Sequence, residues 1–261
     1  MKIEKLFTVS SDISRATTSR GFFAGVLAIV LIISFASIQD VLGEIIRHPH
    51  PPEVGFHLQI VMNALKSQAF VMVFPIISAL PYTTAFVDDM KNGFIKQYLS
   101  RTTRKQYITG KLIACGFSGG LVLLTGIAVS LTISAMLFAD TEINPADFGE
   151  LSTASIFENL PAARMEIDAG FFDIAVQTYI YFFSGIFWSL VGFMLAALTM
   201  NRFIAYVSPF IFYYVLIIVY ERYLPIEAIY PKDWYLIEPL ILSLAIGVCF
   251  TFFAKRRLHH V

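Results

Sequence analysis

Phe86 to Lys111 reads FVDDMKNGFIKQYLSRTTRKQYITGK. It is a long polar stretch between two long apolar runs, and it carries a dense block of positive charge: Lys91, Lys96, Arg101, Arg104, Lys105 and Lys111. Two acids, Asp88 and Asp89, stand side by side near its start. The flanking runs are long enough to cross a bilayer. The stretch therefore marks one side of a membrane, and the rest of the chain decides which.

The composition supports that reading. Of 261 residues, 57% are hydrophobic and 15% charged, and the mean hydropathy is +0.69. A soluble domain carries roughly 45–50% apolar and about 25% charged residues. The expected class is an all-α polytopic membrane protein forming a single transmembrane domain over 1–261. The net charge is zero, with no basic surplus, so no nucleic-acid partner is expected. Cys115 and Cys249 both fall in apolar runs, which gives no disulfide framework. The first 20 residues carry Lys2, Glu4, Lys5, Asp12, Arg15 and Arg20 and lack a signal peptide's apolar core.

Residues 1–20 place Ile3, Leu6, Phe7 and Ile13 near one face at helical spacing, as in a short helix lying among lipid headgroups. Six transmembrane helices are expected, at about 21–38, 67–87, 112–138, 171–198, 203–220 and 235–254. Pro75 and Pro81 predict a kinked second span. Gln39 to about Lys66 reads as a polar connection, with HPHPPE in it. The connection at 139–170 is rich in acids, and a cationic peptide is one conceivable contact for it.

Orientation follows from Lys and Arg in alternate connections. The side with the N-terminus, the 88–111 stretch, Arg202 and the C-terminus holds 14 basic residues. The other side holds five: Arg47, Lys66, Arg164, Arg222 and Lys232. Both termini are expected in the cytoplasm, with the chain multi-pass in a cell membrane, the bacterial cytoplasmic membrane being the natural fit.

Several motifs weigh against enzyme chemistry. Gly110-Lys111 lacks the first glycine and the Ser/Thr of a phosphate-binding loop, since Lys105 and Leu112 stand there. No ATP hydrolysis is expected in this chain, and it needs no cofactor or metal of its own. Gly116-Phe-Ser118-Gly-Gly120 suggests an intramembrane protease serine, but no histidine falls in a span to activate it. Gly116 and Gly120 read instead as a close helix-packing face. His48, His50 and His57 with Glu44 and Glu53 match no tight metal motif, and a solvated loop is expected there. Asp173 and Glu238 fall at span edges, and the span middles are free of charge, which disfavours ion-coupled transport. Tyr179, Tyr181, Phe182, Phe183, Phe187 and Trp188, with Tyr206, Phe210, Phe212, Tyr213 and Tyr214, could line a path or simply pack.

Within the opening stretch, the paired acids suit a helix start. Phe94, Ile95, Tyr98 and Leu99 make an apolar edge, with Lys91 and Lys96 off it. Ser100 to Thr103 breaks the pattern, and Thr102 or Thr103 can cap the helix that re-enters the membrane. The expectation is a short amphipathic helix on the membrane surface, then a turn.

These residues resemble the cytoplasmic segment of ABC-2 type transporter permeases, the membrane subunits of a class of ABC exporters. In that family an acidic pair ends the second span. A glycine, an amphipathic helix, a serine-arginine turn and a Gly-Lys follow. Asp88-Asp89, Gly93, Phe94 to Leu99, Ser100-Arg101 and Gly110-Lys111 stand in those places. The chain departs where the family often has Glu for Asp88 and Asp89, Gly-Thr for Gly93-Phe94, and a proline in the turn. The resemblance implies a coupling helix between spans two and three, formed by Asp88, Asp89, Lys91, Gly93, Phe94, Tyr98, Arg101 and Arg104. It implies two separate ATPase subunits, which would hold ATP and Mg, and a second permease, identical or related. An ATP-independent channel or a scaffold for a signalling partner is the rival reading.

Overall fold

The computed structural model describes residues 2–47, 56–95, 103–137, 153–223 and 245. Among them the chain is all-helical. In order the helices are α1 (Lys2–Thr17), α2 (Arg20–Arg47), α3 (Phe56–Lys66), α4 (Gln68–Ala79), α5 (Ala85–Lys91), α6 (Arg104–Leu137), α7 (Thr153–Thr199) and α8 (Arg202–Tyr223). Three stretches are long and apolar enough to cross a membrane: Arg20–Gln39, Gln106–Leu137 and Phe171–Thr199. The α3–α4 pair, bent by 72°, makes a fourth if it counts as one span, and α8 holds a shorter apolar stretch, Arg202–Ile218. Apart from residue 245, the expected sixth span at 235–254 lies outside the described residues.

Some boundaries differ from the sequence reading, for local reasons. The second helix does not stop near Ile38. It runs to Arg47, because no proline interrupts it before Pro49. The polar connection up to Lys66 contains a helix of its own, α3. Most of the segment expected as a loop before Phe171 is helical from Thr153, and Ala162, Ala163, Met165 and Glu166 are all good helix formers.

α4 is bounded by a break at both ends. Ser67 caps α4 by accepting from the Phe70 amide (3.3 Å) and donates to the Ala64 carbonyl (2.6 Å). Pro75 lies inside α4, and the chain leaves the helix after Ala79 for a turn at residues 80–84. Thr83 gives its hydroxyl to the Ala79 carbonyl (2.5 Å), and Ser78 gives its own to Pro75 (2.8 Å). The Thr83 hydroxyl thereby satisfies a backbone acceptor at the end of the helix.

Close packing is set by small residues. Gly119 of α6 faces Gly185 and Ser189 of α7; a Cβ added to Gly185 would lie 2.6 Å from the Gly119 carbonyl oxygen. Gly120 meets Phe182, and Gly116 meets Ile186 and Leu190, at distances a side chain would narrow. Gly25 of α2 meets Val122 of α6, and Gly126 of α6 meets Ile29 of α2, in the same way. The largest buried cluster joins α2, α3, α4, α6 and α7 around Ile29, Val61, Phe70, Leu123 and Trp188. A second cluster, around Phe86, Ile95, Tyr107, Leu112 and Phe193, holds one end of the bundle together. That end carries the charges.

Candidate functional site

The charged end is built by four segments. α1 enters through Asp12 and Ala16, four residues apart on one helix face and both buried. α2 begins immediately afterwards, capped by Ser19, whose hydroxyl accepts from the Phe22 amide (3.1 Å) and donates to the Pro81 carbonyl (3.0 Å). Gly21 permits this approach, since any Cβ there would collide with the Leu80 carbonyl oxygen. The 80–84 turn brings Tyr82, α5 brings Asp89, and the first turns of α6 bring Tyr107 and Lys111.

These side chains meet at one ammonium group. Lys111 Nζ lies 2.9 Å from Asp12 Oδ1, 3.0 Å from Asp89 Oδ2 and 2.7 Å from the Tyr82 hydroxyl oxygen. The Tyr82 hydroxyl donates to Asp12 Oδ1 (2.8 Å), and the Tyr107 hydroxyl donates to Asp89 Oδ2 (3.0 Å). Both rings also face the charge, with centroids 5.0 Å and 5.7 Å from Nζ. Lys111 is 1% exposed, Asp12 3% and Asp89 4%. An ammonium group has three N–H donors, and three acceptors surround this one. A buried charge is tolerable only when paired and hydrogen-bonded, and this one is both.

The two adjacent acids do different things. Neighbouring positions on a helix point about 100° apart. Asp89 turns inward to Lys111, so it is not part of an exposed acidic patch. Asp88 turns outward, accepts from the Thr84 hydroxyl (3.1 Å) and forms an ion pair with Arg202 at the start of α8. α5 is thereby held on one flank to α1 and α6 and on the other to α8.

The remaining residues singled out from the sequence divide as follows. Lys91 is exposed at the end of α5. Asn92 and Gly93 make the turn that ends the helix, with Gly93 at φ +69°, a left-handed conformation that glycine adopts without strain. Phe94 is 46% exposed, whereas Ile95 beside it is buried in the cluster with Tyr107 and Leu112. Tyr98 and Arg101 lie outside the described residues. Arg104 begins α6, after Thr103, whose hydroxyl accepts from the Gln106 amide (3.4 Å) while the Gln106 side chain accepts from the Thr103 amide (3.1 Å).

Asp12, Tyr82 and Tyr107 are not among the residues the sequence singles out, and Lys111 stands out there only as the end of a Gly-Lys pair. In the sequence, Asp12 and Lys111 are each one charge among several in a polar stretch. Their signal is weak but real: an acid beside Ile13 in α1, and a lysine flush against an apolar run.

Ser118 donates to the Cys115 carbonyl of its own helix (3.0 Å), and Ser189 of α7 donates to the same oxygen (3.2 Å). Both are packing contacts. His57 is at the other end of the molecule, where its carbonyl accepts from the Ser134 hydroxyl (3.2 Å); His48, His50 and Glu53 lie outside the described residues. Among the described residues no group of three His, Cys, Asp or Glu could hold a metal. The aromatic residues of α7 and α8 do not share one surface. Tyr181, Phe187 and Trp188 are buried, Tyr213 packs between Phe74 and Trp188, and Tyr179, Phe212 and Tyr214 face outward.

Comparison with known proteins found no matching family model, no matching curated protein and no matching solved structure.

Proposed function

We propose that this chain is the membrane subunit of an ATP-driven exporter of the ABC-2 permease type. It would have six spans and both termini in the cytoplasm, and would work with two separate ATPase subunits and a second permease. One arrangement supports the reading above all others. The Lys111 cluster ties the N-terminal interfacial helix, the 80–84 turn, α5 and the start of α6 into one body. Closure of the ATPases on ATP would push on the segment after Asp88 and on α1. Joined through Lys111, those two elements would move together and carry α6 with them. The Asp88–Arg202 pair passes the same motion to α8. Among the described residues of this segment, Lys91 and Phe94, exposed beside the Gly93 turn, are open to contact by the partner. The substrate moves outward as the two permeases rock.

The deciding experiment is purification of the tagged chain from its native membrane. An ATPase subunit with a phosphate-binding loop is expected to come down with it. Charge reversal at Asp88, or an alanine pair at Phe94 and Tyr98, is expected to leave membrane insertion intact and to separate ATP hydrolysis from transport. If no ATPase is ever recovered, or if both variants transport normally, the exporter reading fails in favour of the channel or scaffold.

A further inference from the structure

α2 and α6 run side by side in the same direction. Gly25 meets Val122 and, one turn later, Gly126 meets Ile29; in each case an added Cβ would lie 2.7 Å from its neighbour. Beyond Ile29 and Gly126 a cavity of about 270 Å³ opens between the two helices, with the fully buried Val61 of α3 as its third wall. Serine stands where a larger side chain would fill the gap. Ser34 and Ser37 of α2 are three residues apart, and Ser130 and Ser134 of α6 are four apart, so each pair shares a helix face, and all four line the space. The cavity opens outward past Ile38, Leu42 and Leu137, each more than half exposed. Ser130 lies 19 positions beyond Lys111 on α6, roughly 28 Å along the axis, so this space is separate from the charged cluster.

The lining defines what fits. No lining residue is ionisable, and those that are not serine are all aliphatic. An ion entering would give up its water and find no counter-charge, which is costly. No ring is present to stack on a flat ligand, so the body of the ligand is aliphatic. The hydroxyls set the polar part. Ser130 spends its proton on the Gly126 carbonyl (2.9 Å) and Ser134 on the His57 carbonyl (3.2 Å), so these two can only accept. A serine within a helix often bonds back to the carbonyl one turn earlier. Among the described residues the Ser34 and Ser37 hydroxyls make no such bond and no other, and both residues are half-buried against the cavity. Each can both donate and accept. At the roughly 30 Å³ that a water takes in the liquid, the space holds about nine heavy atoms.

We infer that the cavity between α2 and α6 binds an uncharged single-chain amphiphile, an aliphatic alcohol of medium length. Its hydroxyl bonds to Ser34 or Ser37, and its chain lies against Ile33 and Val61. A phospholipid does not fit, because its charged head would find no partner among the lining residues. The site needs neither an ATPase nor an exported substrate, so it stands apart from the exporter reading.

The test uses the purified full chain in an amphipathic polymer, without any ATPase. The probe is a decanol with a photoreactive diazirine in its chain, and labelled peptides are identified by mass spectrometry. Saturable labelling is expected in the peptides that hold Ser34 to Leu42 and Ser130 to Leu137. Unlabelled decanol should compete about fivefold better than decane, which lacks the hydroxyl, and better still than decanoate, which is ionised at neutral pH. Replacing Ser34 and Ser37 together by alanine should bring decanol down to the level of decane while labelling persists, which also shows that the fold is kept. Ser37→Phe should fill the space and abolish labelling. An alanine pair that still prefers decanol overturns the inference, whether or not Ser37→Phe accumulates. So does labelling that never saturates. Equal competition by decane, decanoate or lysophosphatidylcholine would make the cavity a groove for any chain, and also overturns it. Because no ATPase is present, failure here leaves the exporter reading standing, and failure to recover an ATPase leaves this site standing.

Discussion

At the scale of single residues, Lys111 has the largest expected effect. Its ammonium faces two buried carboxyl groups, and removing it leaves both without their cation. Breaking a buried ion pair by removing one partner costs about 3–5 kcal/mol. Lys111→Met should therefore lower the thermal midpoint of the detergent-solubilised chain by several degrees or prevent its accumulation. Adding Asp12→Asn and Asp89→Asn to Lys111→Met should restore much of the loss, because a neutral cluster has no unpaired charge to bury. A triple variant as unstable as the single one would mean that packing, not charge, governs the site. Asp88→Asn is the contrast. Its pair with Arg202 is partly exposed, and such pairs contribute about 0–1 kcal/mol. Its melting point should barely change, whereas under the proposed exporter function the coupling of ATP hydrolysis to transport should suffer. Two neighbouring aspartates would thus separate stability from function.

At the scale of elements, two glycines are constrained for different reasons. Gly119 faces Ser189 so closely that an added Cβ would collide with the serine side chain. Gly119→Ala must push α6 and α7 apart, and overpacking of this kind costs about 1–3 kcal/mol. Gly93 has open space where a Cβ would go, with nothing within 4 Å, but its φ of +69° is left-handed. Gly93→Ala should cost about 1 kcal/mol through backbone strain alone, and Gly93→Asn clearly less, because asparagine tolerates that region. Thermal unfolding of the three variants checks the order. α7 is the other element of note. Its 47 residues span about 70 Å, more than twice the hydrocarbon thickness. The part before Phe171 therefore extends beyond any span it contributes.

At the scale of the whole molecule, Lys91, the start of α6 and Arg202 lie at the same end as the buried cluster. The proposed orientation puts that end in the cytoplasm. In a Cys249→Ser background, Lys91→Cys should react with a membrane-impermeant thiol reagent in inside-out vesicles and not in right-side-out ones. Cys115, fully enclosed between α6 and α7, should stay unlabelled in both until the protein is denatured. Labelling of Lys91→Cys from the outside would reverse the topology.

The sequence alone determined that this chain is helical and apolar enough for a membrane. It also set which stretches are polar and where α1, α2, α6 and the apolar part of α7 lie. Those features are local: a helical span needs only a sufficient run of apolar residues, and a cap needs only its neighbours. The GxxxG of Gly116 and Gly120 was legible for the same reason, although the closer approach is at Gly119 and Gly185, residues 66 positions apart. Only the tertiary structure decided that Asp12, Tyr82, Asp89, Tyr107 and Lys111 form one site. They come from four segments up to 99 positions apart, and no spacing rule links them. It also decided that Asp88 and Asp89 face opposite partners, because the direction of a side chain depends on what packs against its helix. The Phe86–Lys111 stretch begins as a charged interruption between apolar runs. In the folded chain its last residue is the buried cation that binds the N-terminal helix to the rest.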